Sequence, residues 1–496
     1  MPNRKVAIRD ALTGIRGLDD VLGGGLTPNR LYLLEGMPGS GKTTLAFQFL
    51  MEGVRQGENV LYVTLSETEE EIRAVAQTHG WSLDGIAVRE LVPTQENLDP
   101  DEQYTMFHPS EVELSDTTRK ILEDVERIKP SRLVFDSLSE LRLLAGNPLR
   151  YRRQILALKH YFSGRQCTVL LLDDLTGEGH DLQVQSIAHG VLLLQQHAPD
   201  YGKQRRRLNV LKYRGRAFRG GYHDYVIRRG GLDVFPRLVA AEHRTRPGQG
   251  RIAAGIEGLD ALLGGGLDRG TSVLLMGAAG VGKSSLATHF VMAAAERGER
   301  SALFLFDESV RTLMTRSHGM GLPLQQQVDE GRVSVESVDP GEISPGEFIQ
   351  RIRNEVENHG ARLVMIDSLS GYFNAMSGEK FVLIQLHELL AYLCQLGVVT
   401  ILINAQQGLI GQMTSNVDIS YLADTVILFR YYETRGEVRQ AISVLKKRTG
   451  PHERTIRELG ITSHGLEIGE PLRKFRGVLT GVPHESGDAS GDAASP

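Results

Sequence analysis

Gly36-Met37-Pro38-Gly39-Ser40-Gly41-Lys42-Thr43 follows the apolar run from Leu31 to Glu35 and opens the stretch TTLAFQFLMEGVRQG, residues 43–57. It fits the pattern G-x-x-x-x-G-K-[ST] in the strand–loop–helix setting that the pattern requires. In that stretch Leu45, Ala46, Phe49, Leu50 and Val54 share one helical stripe, and Gly57 is placed to end the helix. Glycines let backbone N–H groups curl around phosphate oxygens, and the helix N-terminus adds its positive end. Lys42 is placed to reach the β- and γ-phosphates, and Thr43 offers a hydroxyl to Mg²⁺. Gly36, Gly39, Ser40, Gly41, Lys42, Thr43 and Thr44 are therefore candidates to bind a nucleoside triphosphate.

The same signal recurs 241 residues later, as Gly277-Ala278-Ala279-Gly280-Val281-Gly282-Lys283-Ser284. Gly277, Gly280, Val281, Gly282, Lys283, Ser284 and Ser285 form the second candidate cradle, with Ser284 in the Mg²⁺ position. The offset extends outward from the two loops. GIRGLDDVLGGGL from Gly14 and GIEGLDALLGGGL from Gly255 agree at 10 of 13 positions. LSET from Leu65 pairs with FDES from Phe306 at the same offset. Later the spacing contracts: the aspartates of VFD and MID, Asp136 and Asp367, are 231 apart, and LKYRG and LKKRTG are 234 apart. A period this long is a duplicated domain and not a solenoid. The expected organisation is residues 1–240, a Pro/Gly-containing linker at 241–250, residues 251–483 and a polar tail at 484–496.

Short apolar runs alternate with helical patterns in the first copy: LYLLEG, NVLYVTL, RLVFDS, TVLLLDD, GVLLLQQ and RRLNVLKY. Runs apolar on both faces, separated by helices, predict a mostly parallel, doubly wound α/β sheet in each copy. The last strands, joined by short connections, predict an antiparallel extension.

The composition narrows the function. Charged residues make up 24% of the 496 residues and the net charge is −5, which speaks against a protein that coats nucleic acid. Cys167 and Cys394 form no disulfide framework, and no run reaches membrane-spanning length, so the expected location is the cytoplasm without membrane contact. Glycine, at 55 residues or about 11%, exceeds the usual ~7%.

Around the two loops stand further candidates. Asp136 and Asp367 end apolar strands and can orient a Mg²⁺-bound water. Glu67, and Asp307 with Glu308, close the next strand in each copy, where a carboxylate could polarise the attacking nucleophile. Lys212 and Arg214, and Lys446 and Arg448, form K-x-R at strand ends and project on one side. They suit trans-acting contacts to a neighbouring subunit's γ-phosphate, a solubilising edge strand, or nucleic acid, since Lys203–Gly220 is basic. Asp173–Asp174 could sense phosphate or cap a loop, and His180, His189 and His197 show no metal spacing.

Taken in order, GIxGLDxxLGGGL, the P-loop, the acidic strand end, DSLS and LKxRG resemble the KaiC branch of the RecA-like ATPases over roughly residues 10–480. HGWSLDGI at 79–86 and VLTGVP at 478–483 are similar to further family segments. The resemblance implies two tandem RecA-like P-loop domains, hexameric rings in two tiers and ATP with Mg²⁺ between subunits. It also implies slow hydrolysis in the first domain and Ser/Thr autophosphorylation in the second. In cyanobacteria such a cycle is a circadian clock tuned by small partner proteins, and signalling kinases are further candidate partners. Where the clock proteins carry paired glutamates, this chain has Ser66–Glu67 and Asp307–Glu308, which leaves Glu67 as the first copy's candidate base. Where they carry adjacent Ser-Thr phosphosites, it has Ser420–Tyr421, so Ser420 is the candidate phosphosite and Tyr421 a second one. The competing classes are a nucleotide-switched scaffold and a DNA-acting motor.

Overall fold

The computed structural model describes residues 9–91, 109–175, 182–199, 202–243, 248, 250–339, 341–375, 381–406, 419–480 and 484–485. The chain divides into two units, Met1–Arg237 and Leu238–Pro496. His180, the segment 415–418, residues 481–483 and the tail from 486 lie outside the described residues.

The first unit is built on strands β1 (Leu31–Gly36), β2 (Val60–Thr64), β3 (Ile86–Glu90), β4 (Arg132–Asp136), β5 (Thr168–Asp174), β6 (Gly190–His197), β7 (Arg205–Tyr213), β8 (Tyr222–Arg228) and β9 (Gly231–Phe235). Their order is β3-β2-β4-β5-β1-β6-β7-β8-β9. Pairing is parallel from β3 through to β6 and antiparallel from β6 to β9. The inner parallel strands β1, β2, β4 and β5 are apolar on both faces because both faces are covered. Tyr32 and Leu34 join Leu45, Phe49 and Leu50 in one core, and Leu31 and Leu33 join Leu133, Tyr151 and Phe162 in the other. This is the period-two alternation of a strand between two helical layers.

The P-loop helix, α1 (Lys42–Arg55), ends two residues before Gly57, which takes the left-handed conformation at φ +75°. Phe47 and Gln48 are buried beyond the expected stripe. Three strands escape the sequence reading: β3, β8 and β9. β3 is half-exposed at the sheet edge, and β8 carries polar residues on its solvent side.

The second unit repeats this order with β10 (Ser272–Gly277), β11 (Arg300–Leu305), β12 (Val333–Ser337), β13 (Ala361–Asp367), β14 (Val399–Ala405), β15 (Thr425–Thr434), β16 (Glu437–Lys447), β17 (Arg457–Thr462) and β18 (Gly465–Pro471). The sheet runs β12-β11-β13-β14-β10-β15-β16-β17-β18, with the same parallel-to-antiparallel change at β15. Its P-loop helix is α2 (Lys283–Glu296). Leu238 and Ala240 are buried in this unit's core. No helix among the described residues is long and apolar enough to cross a membrane. Cys167 is buried, which pushes its thiol up to about 12, and Cys394 is half-buried.

Candidate nucleotide sites

In a doubly wound sheet, ligands are met at the carboxyl ends of the central parallel strands. β1 and β10 are central, and each ends in its P-loop. Gly41 and Gly282 hold φ +94° and +102° at the start of α1 and α2, where a side chain is strained. A Cβ on Gly41 would also lie 2.6 Å from Ile227 Cδ1. The triplets Gly23–Gly25 and Gly264–Gly266 take positive φ throughout, which explains the repeated GGGL turns.

Lys42 Nζ donates to the carbonyls of Gly36 (2.8 Å) and Met37 (3.1 Å), and Lys283 Nζ to those of Gly277 (2.9 Å) and Ala278 (2.6 Å). Both ammonium groups are thus drawn into the curl of the loop. Thr43 Oγ1 donates to Asp136 Oδ2 at 3.0 Å, and Ser284 Oγ to Asp367 Oδ2 at 2.6 Å. Each pair joins the first turn of its P-loop helix to the end of the second strand over. Burial raises both Asp136 and Asp367 above the usual carboxylate range, against the hydroxyls that donate to them. Hydroxyl and carboxylate oxygens are the donors Mg²⁺ takes, and one or two suffice where phosphates and waters complete the octahedron. The peptides Asp136–Ser137 and Asp367–Ser368 are both cis. A cavity of about 380 Å³ lies beside the first P-loop, lined by Met37, Leu194, Gln196 and Arg205 among others.

The two sites are not copies in detail. In the first, Tyr62 OH donates to Asp136 Oδ2 at 2.5 Å, and Asp174 Oδ1 lies 2.6 Å from Lys42 Nζ. The repeat offset puts Leu303 opposite Tyr62, and the strand register puts Ala405 opposite Asp174. Burial, opposed by the nearby Asp367, lowers Lys283 to about 8. Asp173, the other member of the acidic pair, meets Arg142 at 2.5 Å. Tyr62 carried no signal in the sequence, because one tyrosine in an apolar run reads as core.

The other carboxylates also differ. Glu67 is raised by burial first, then by Asp136, Glu71 and Asp174, all acidic. Asp307 accepts from the Ser368 hydroxyl, and Glu308 pairs with Arg316.

The K-x-R residues lie at the opposite end of each sheet from their own P-loop. Arg214 N–H donates to His189 O, and His189 N–H to Leu31 O, which places Arg214 level with the start of β1. Five strand steps, roughly 17 Å, separate that level from Gly36. Lys212 Nζ donates to the carbonyls of Gln185 (2.6 Å) and Ser186 (3.1 Å), and Arg214 to that of Ser186 at 2.8 Å. In the second unit Lys446 Nζ donates to Ser420 O at 2.9 Å and Ala423 O at 2.7 Å, and Arg448 to Tyr421 O at 2.9 Å. The motif therefore grips the segment that carries Ser420, and Tyr421 beside it is exposed. His189 packs edge-on against Tyr32 and Tyr213, and His197 is exposed.

Two RecA-like P-loop units in one chain, each with a lysine in the loop and a hydroxyl on a buried aspartate, define a tandem nucleoside-triphosphatase fold. The model of the KaiC ATPase family matches residues 11–239 and again 252–473, and the chain belongs to that family. It is 28% identical over 481 residues to the circadian clock protein KaiC3 of Synechocystis, covering 95% of this chain and 94% of the relative. The circadian clock oscillator proteins KaiC of Acaryochloris marina and Parathermosynechococcus lividus are 26% and 28% identical, covering 97% and 95% of this chain and 92% and 87% of theirs.

Proposed function

We propose that this chain hydrolyses ATP at both P-loops and transfers phosphate to Ser420 in its second unit, as a KaiC-like signalling or timing protein. The carrying observation is the doubled constellation of Lys42, Thr43 and Asp136 with Lys283, Ser284 and Asp367. Thr43 and Asp136, or Ser284 and Asp367, would hold Mg²⁺, which when bound neutralises charge on the β- and γ-phosphates. Lys42 and Lys283 add fixed positive charge at the same oxygens. Glu67, and Glu308 or Asp307, take the proton of the attacking water or hydroxyl.

Lys212 and Arg214, with Lys446 and Arg448, cannot reach their own P-loops from the far end of the sheet. Their use is in trans, in a ring of identical subunits with ATP between neighbours; a two-tier hexamer fits the doubled chain. Because Lys446 and Arg448 hold the backbone of Ser420 and Tyr421, a phosphate met by those cations lies close to Ser420. Tyr421, in the place of the clock proteins' threonine, favours a second reading, a nucleotide-switched scaffold that recruits small regulatory proteins or signalling kinases.

The test is peptide mass spectrometry after incubation with Mg·ATP, on the unaltered chain and on Lys283→Ala. Phosphate at Ser420 that disappears in Lys283→Ala, with ATPase activity of the first unit surviving, supports the kinase. No phosphate in the unaltered chain leaves the scaffold reading, and an unchanged Ser420 phosphate in Lys283→Ala removes the second P-loop from the reaction.

A further inference from the structure

The two units place one helix in the same register. Glu69–Thr78 follows β2 and Val310–Gly319 follows β11, at the same offset of 241, and each is capped by a hydroxyl, Thr68 and Ser309. Position by position, Glu308 answers to Glu67 and Arg316 to Val75. Val75 is exposed. Arg316 instead turns toward the site and forms a hydrogen-bonded ion pair with Glu308, whose side chain is 16% exposed against 28% for the arginine. Glu308 lies two residues beyond Phe306, whose N–H donates to the Asp367 carbonyl, and both charges act on Asp367, Glu308 raising it and Arg316 lowering it. Glu67, by contrast, is raised by burial first and then by the carboxylates of Asp136, Glu71 and Asp174.

We propose that Arg316 is a positioning residue of the second nucleotide site, which ties down Glu308 and keeps that carboxylate from activating water. This rests on the reading of Glu67 and Glu308 as the proton acceptors. In hydrolysis the water oxygen bonds to the γ-phosphorus as the bond to the bridging oxygen breaks, and the water proton passes to the carboxylate. Oε1 of Glu308 is committed to the Arg316 guanidinium, so the carboxylate must leave that contact before it can swing to a water at the γ-phosphate. The consequence is slower hydrolysis at the second P-loop than at the first. The buried Arg316 Nε and Nη2 and Glu308 Oε2 have no hydrogen-bond partner among the described residues. The pair is therefore joined through one guanidinium nitrogen and one carboxylate oxygen.

The experiment uses full-length protein with one site silenced, and measures phosphate release. In Lys42→Ala, adding Arg316→Val should raise kcat roughly 10-fold with little change in KM, a modest share of what a general base supplies. Arg316→Lys, which keeps a cation, should stay near the starting rate. In Lys283→Ala, the reciprocal Val75→Arg should lower kcat by a similar factor, and Val75 is exposed enough to accept the change. Glu308→Gln and Glu67→Gln in the same backgrounds test the underlying reading. If they leave turnover unchanged, the carboxylates are not the bases and the proposal falls with them. If they lower it while Arg316→Val and Val75→Arg do nothing to kcat, the base reading survives and the clamp is overturned. Should Arg316→Val fail to fold, Val75→Arg decides alone.

Discussion

His223 shows how a single buried residue carries a condition on the whole first unit. Its Nε2 lies 2.9 Å from Arg219 O, and its Nδ1 accepts the Arg237 N–H at 2.9 Å. That pairing requires a neutral ring protonated on Nε2. Burial, aided by the charges of Arg237 and Arg219 and opposed by the Arg219 carbonyl, lowers the imidazole to about 4. Since the folded value lies below the unfolded one near 6.5, the unfolded chain binds the proton first. The stability present above pH 6.5 is lost as the pH falls toward 4, by up to about 3 kcal/mol. Urea unfolding of the first unit between pH 7 and 4.5 should show this loss, and His223→Gln, which keeps a donor and an acceptor, should flatten it. An equal acid loss in the variant would exclude His223 as the source.

β4 depends on a residue whose role the repeat conceals. Arg132 opens the strand fully buried and pairs with Glu58 Oε2 at 2.5 Å. It donates to Leu12 O at 2.6 Å and Phe49 O at 2.8 Å, with its guanidinium 4.7 Å from the Phe49 ring centre. Arg362, which matches it in the sequence repeat, is exposed, because the second strand is longer before its aspartate. Removing the buried Arg132 leaves the partly exposed Glu58 carboxylate unpaired and takes a donor from each of the two carbonyls. Arg132→Leu should therefore destabilise the first unit by about 2–3 kcal/mol, read as a lowered urea midpoint. Arg132→Lys should not rescue it, since one ammonium cannot span carboxylate and both carbonyls. The strands apolar on both faces were legible in the sequence, since burial on both sides leaves no polar position. β3, β8 and β9 were not, because an edge or an antiparallel extension needs only one apolar face and tolerates charge on the other.

At the scale of the molecule, each unit has its own pair of cores around its own sheet. Calorimetry should accordingly show two unfolding transitions. Saturating Mg·ATP should raise both, since a ligand bound only by the folded state stabilises it. Lys42→Ala should abolish the shift of one transition and Lys283→Ala that of the other; a loss of both shifts in either variant would mean that the sites bind as one.

The sequence by itself determined the duplication, the two P-loops and the strands behind them. Those features rest on local requirements: glycines where φ is positive, apolar residues where both faces are covered, and a lysine and a hydroxyl at a helix start. It also supplied Asp136 and Asp367, because an aspartate ending a buried strand stands out. Only the tertiary structure decided which carboxylates are held and by what. Tyr62 on Asp136, Asp174 on Lys42 and Arg316 on Glu308 are contacts between elements remote in sequence or across a helical turn. Their residue types are common, and only the packing of one strand or helix against the next gives them a partner.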